Sequence, residues 1–187
     1  MKSNLRKLTT LVSLALILSF LTVAACASAS PSSEEWEAIF LLVADALEMP
    51  VNAPFTVPEN PEYEPAYRFV HTLDIGGFME LSYYDDGNGA FCNALLTIDL
   101  DYTSAHPEHI EHVVIAIVTT VMSGDLESEE HLGELIEALC PQLEEVLLGE
   151  ARLSGVEAAS LNGITYAMEL DNDARIMRLY THMTANE

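Results

Sequence analysis

Residues 78–102 read FMELSYYDDGNGAFCNALLTIDLDY, and this stretch decides the fold. Phe78–Tyr84 is dense in aromatic residues, which suit a pleated surface. Asp85-Asp86-Gly87-Asn88-Gly89 is a hairpin signal, because Asn and Gly tolerate the positive φ that tight two-strand turns require. Ala90–Tyr102 then alternates. Cys92, Ala94, Leu96, Ile98 and Leu100 share one face, while Phe91, Asn93, Thr97, Asp99 and Asp101 share the other. Strands joined by so short a turn pair antiparallel, so this segment is the seed of an antiparallel sheet.

Upstream, Tyr67–Asp74 alternates with Tyr67, Phe69, His71 and Leu73 on one side, and Gly76-Gly77 marks the turn into the next strand. Residues 50–65 hold five of the eight prolines and read as an extended connector that wraps over the fold. Before it, Ser32 and Glu35 form a capping-box pair. Trp36, Ile39, Phe40, Val43 and Leu47 recur at helical spacing, with Glu34, Glu37, Asp45 and Glu48 opposite them.

Downstream, Pro107 opens a helix whose buried stripe is Ile110, Val113, Val114, Ile117, Val118 and Val121. A further helix runs from Ser128 to Cys140, is interrupted at Pro141, and is closed by Gly149. Two or three strands follow. Ala151–Ala159 is weakly patterned, Asn162-Gly163 is a type I′ turn, and Asp171-Asn172-Asp173 turns Ile164–Leu170 into Arg175–Met183. The expected fold is α+β and two-layered. An antiparallel sheet of about five strands carries helices on one face, plus an N-terminal helix. Residues 34–187 form a single globular domain, with a helix over 34–49, the connector over 50–65, strands over 66–102, helices over 106–149 and strands over 151–183.

The N-terminus carries an address. Lys2, Arg6 and Lys7 precede the apolar run Leu11–Ala25, which is shorter than the roughly 20 residues of a membrane span. The run ends in Val23-Ala24-Ala25-Cys26, which resembles the lipobox of bacterial lipoproteins. That resemblance covers about the first 30 residues. It implies removal of residues 1–25, lipid on the Cys26 sulfur, and a stable hold on the outer side of the cell membrane by two or three acyl chains. Residues 26–33 then form the lipidated cysteine and a small, polar, flexible tether. Ala27-Ser28-Ala29 offers the alternative of ordinary cleavage, which would release a soluble protein without Cys26.

Charge is the next strong feature. All 30 acidic residues follow Cys26, against only Arg68, Arg152, Arg175 and Arg178, so the mature chain has a formal charge of −26 and no lysine. Such a field repels phosphate backbones, which excludes nucleic acid, and attracts cationic ligands or basic partner proteins; its plain reading is that it keeps an exposed protein soluble or adapts it to a salty medium. Without lysine there is no Schiff-base, Walker-type or Ser-x-x-Lys chemistry. With Cys26 lipidated, Cys92 and Cys140 remain as an even pair in an oxidising compartment, either bridged or as buried thiols. A bridge closing a loop of about fifty residues would add about 4 kcal/mol on the chain-entropy model.

The candidate site is His106-Pro-Glu-His109-Ile-Glu-His112, just after Asp99 and Asp101. His109 and His112 lie one helical turn apart on the exposed side. Imidazoles with strand carboxylates could bind zinc or a similar divalent ion, although the spacing is not that of His-Glu-x-x-His. The plain reading is a polar helix start. Asp85–Gly89 and Asp171–Asp173 carry oxygen ligands that calcium favours, but lack the EF-hand spacing. The four arginines are expected in separate ion pairs. The leading expectation is a non-enzymatic binding or interaction module at the cell surface with no cofactor. The rivals are a small metal-dependent enzyme or metal-binding protein using His106, His109, His112, Asp99 and Asp101, and a purely structural envelope protein.

Overall fold

A computed structural model describes residues 32–46, 48–51, 69–85, 91–124 and 131–183. The leader over 1–25, Cys26 with its tether, most of the Pro-rich connector, the Asp86–Gly89 turn and the helix start at Ser128 lie outside the described residues. The elements are α1 (Ser33–Ala46), β1 (Phe69–Ile75), β2 (Met79–Asp85), β3 (Phe91–Asp99), α2 (Leu100–Ala105), a 3-10 turn (Pro107–His109), α3 (Ile110–Gly124), α4 (Leu132–Leu139), α5 (Leu143–Leu147), β4 (Gly155–Leu161), β5 (Ile164–Asp171) and β6 (Ile176–Met183).

The strands form one antiparallel sheet in the order β1-β2-β3-β6-β5-β4. This is the α+β class expected, with six strands instead of about five. Two hairpin-linked groups are joined by the central pair β3–β6, where Ala94 faces Thr181, Leu96 faces Leu179 and Ile98 faces Met177. Their inward residues continue into Leu81 and Tyr83 of β2 and into Tyr166 and Met168 of β5. The helices cover this face and complete a single apolar core.

Local chemistry fixes the connections. At the β1–β2 turn both Gly76 and Gly77 have positive φ, and the Gly77 N–H donates to Asp74 Oδ1 at 2.8 Å. Asn162 and Gly163 both have positive φ, as a type I′ turn demands. Asp171 Oδ1 accepts from the N–H of Asp173 at 3.0 Å and of Ala174 at 2.9 Å, so this acidic loop is a side-chain-capped hairpin turn.

Three expectations need correction. The third strand stops at Asp99 instead of reaching Tyr102, because the Asp99 carboxylate caps a new helix. The long helix is not a stripe: residues Val113–Val121 are all buried, Thr119 and Thr120 included. Those two hydroxyls are satisfied by donating back to the carbonyls of Ile115 at 2.8 Å and Ala116 at 2.7 Å, which lets a β-branched run remain helical. Finally, Glu37 of α1 is half-buried, not on a solvated side, and accepts from the Tyr83 hydroxyl at 2.7 Å.

Cys140 is a free, buried thiol, raised above its ordinary pKa by burial. It closes α4 and leads into α5, which packs on α2 beyond the Asp99 end of β3. Of the two readings for Cys140, bridge or buried thiol, the structure has the thiol.

Candidate functional site

The predicted histidines and aspartates are built on the corner where β3 turns into α2. Asp99 N–H donates to the Phe78 carbonyl at 2.9 Å, and Leu100 N–H to that of Arg175 at 2.9 Å, pinning the corner between β2 and β6. Asp99 Oδ1 accepts from Tyr102 N–H at 2.9 Å and so starts α2 as an N-cap. Asp101, on the first turn, binds Arg175 through Nε at 2.9 Å. Both carboxylates were expected to project from one face of a strand that ends near the start of the histidine-bearing helix. The corner instead engages one with its own helix and the other with Arg175, the residue before β6.

The three histidines are brought together, as part of an aromatic stack. Phe78 and Tyr102 stack with centroids 4.5 Å apart, and Tyr102 stacks on His106 at 4.1 Å. His109 meets Phe78, Tyr102 and His106 edge-on at 5.6, 5.9 and 6.1 Å, and His112 at 5.4 Å. His109 and His112, expected to be exposed, are therefore half-buried. His106 Nδ1 lies 3.0 Å from the Tyr102 carbonyl, which can only accept, so Nδ1–H is the donor. His109 Nδ1 is buried with no hydrogen-bond partner among the described residues. Among those residues no group of three or more His, Cys, Asp or Glu side chains is placed to hold a metal ion. Chemically the cluster is a wall of rings that covers the end of the core.

Two of the four arginines are found in separate ion pairs, and Arg68 lies outside the described residues. Arg175 holds Asp101, and Arg178 Nη1 lies 3.3 Å from Glu169 Oε2. Tyr180 donates to the same carboxylate oxygen at 3.0 Å. Burial first, then that hydrogen bond and the Glu169 charge, raise the Tyr180 phenol above its ordinary pKa, with Arg178 opposing.

A second feature was missed in the sequence. β4 is the last strand of the sheet, and Gly155–Ala158 are all exposed, Val156 by 63%. Its register with β5 is regular, from Gly155 opposite Leu170 to Leu161 opposite Ile164. Its far edge has no strand partner among the described residues. α4 lies over β4 and β5, with Glu134 and Glu137 exposed. The signal was the weak patterning of residues 151–159. A strand that buries neither face strongly has no reason to alternate.

No protein-family model, curated protein or solved structure matches this chain.

Proposed function

We propose that this chain is an exported, lipid-anchored binding domain that acts without catalysis, and that the β4 margin is the surface with which it binds. The observation that carries the reading is the contrast within one sheet. β5 alternates strictly between buried and half-buried residues, whereas β4 presents four consecutive exposed ones. A strand that contributes so little apolar area to the core is retained at the sheet end with an unbroken register. The Val23–Cys26 lipobox resemblance supports the address, and the −26 mature charge supports partners that are cationic and not nucleic acids.

Two measurements test this reading. Intact mass of the membrane fraction should show a chain that begins at Cys26 and carries acyl chains; an unlipidated mature chain beginning at Ser30 would reject the anchor. Amide hydrogen exchange over residues 155–161 should be slower for the protein in its native envelope than for the purified mature chain. Equal rates in both settings would reject β4 as a binding surface.

A further inference from the structure

We infer that the outer edge of β4, which has no strand partner among the described residues, accepts an extended, lysine- or arginine-bearing segment of a partner protein as a seventh strand. The inference rests on the binding reading above and supplies its mode and its partner chemistry.

The two edges of the sheet are treated differently. At β1, Val51 makes an antiparallel bridge to Ile75, and the Gly76 N–H donates to the Pro50 carbonyl at 2.6 Å. The chain before the sheet thus reaches the Ile75 end of that edge. At β4 no strand does so among the described residues. Proteins ordinarily blunt a bare edge with charged side chains, proline, a bulge or a covering element. β4 reads GVEAASL, with Glu157 as its one charge, no lysine or proline, and no register shift in its pairing with β5. Its backbone donors and acceptors are therefore presented to an incoming strand in regular order.

The side chains define what would fit. Val156, Ala158 and Ser160 face the side of the sheet away from the helices and are small, so an added strand meets little bulk there. Glu157 is exposed on the helix side of β4, the strand that α4 packs against, and Glu134 and Glu137 of α4 are exposed as well. Residues of the added strand on that side meet carboxylates. Glu169, on β5, is already held by Arg178 and Tyr180. Arg152 precedes the strand and lies outside its paired residues. An alternation of basic and small residues matches both sides of the edge.

A second copy of this chain is a poor occupant. Two mature chains of −26 repel, and neither has a lysine to offer. A basic partner segment relieves that field.

The test uses the full mature chain, isotope-labelled, and a monomeric peptide in which lysine and threonine alternate. At low ionic strength the amide shift changes should centre on residues 155–161. A peptide of the same sequence N-methylated along one edge should bind about tenfold more weakly, because it cannot complete the backbone ladder. The V156K/A158K variant, altered only at exposed positions, should lose binding to a similar extent of about tenfold. Shift changes scattered over acidic residues elsewhere, equal binding of the N-methylated peptide, or concentration-dependent dimerisation through β4 would each overturn the inference. None of these outcomes touches the intact-mass and envelope-exchange tests of the binding reading itself.

Discussion

Asp99 shows how one side chain can look like a ligand and act as a cap. Its Oδ1 bond to Tyr102 N–H starts α2, and the Thr103 hydroxyl donates to its carbonyl at 2.7 Å. Asp99→Ala should therefore cost about 1 kcal/mol in chemical denaturation, and Asp99→Ser should recover most of it. A metal ligand would not be replaced so well by serine. Tyr180 gives a pH signature. The folded state holds its phenol neutral more strongly than the unfolded chain does. Its contribution is complete below the ordinary tyrosine value of about 10, and is lost as pH rises through the higher folded value. Stability of the Tyr180→Phe variant should be flatter above about pH 10 than that of the parent. Cys140 should alkylate slowly in the native protein without reductant and rapidly once unfolded, since burial disfavours its thiolate.

At the scale of elements, the turns carry the most specific demands. Gly149 closes α5 with a φ of 73°, and a Cβ there would stand 3.0 Å from Ser104 Cβ on α2. Gly163 has a φ of 79° but open space around it. Gly163→Ala should cost about 1 kcal/mol from backbone strain alone. Gly149→Ala should cost more, and Ser104→Gly in the same chain should restore the difference, as read by a double-mutant cycle in urea. The sequence reading was accurate where one residue type has one physical use: Gly76-Gly77, Asn162-Gly163, Asp171–Asp173 and Pro107. It ran the third strand too far because period-2 alternation continues through Leu100, Asp101 and Tyr102. Nothing in that alternation reveals that Asp99 finds Tyr102 N–H within reach.

For the whole molecule, the dominant long-range term is charge. The residues after Cys26, with a formal charge of −26, store self-repulsion that added salt screens. The melting temperature should rise on going from low to moderate ionic strength. A flat response would mean that the acidic groups lie too far apart, or are too well paired, to repel. The same field repels anionic polymers, and on the proposed reading the β4 edge takes partners that bring positive charge.

The amino-acid order by itself determined the α+β class, the antiparallel pairing, the placement of most turns and the inward face of each well-patterned strand. Those features follow from local backbone chemistry and from a period that must match a buried face. Only the tertiary structure decided which strands became edges, where β3 gave way to α2, and that His106, His109 and His112 join Phe78 and Tyr102 in a stack while Asp99 and Asp101 are occupied elsewhere. Neighbourhood between residues far apart in the chain, such as Arg175 with Asp101, is set by how the two halves of the sheet meet at β3 and β6. No spacing along the sequence encodes that meeting.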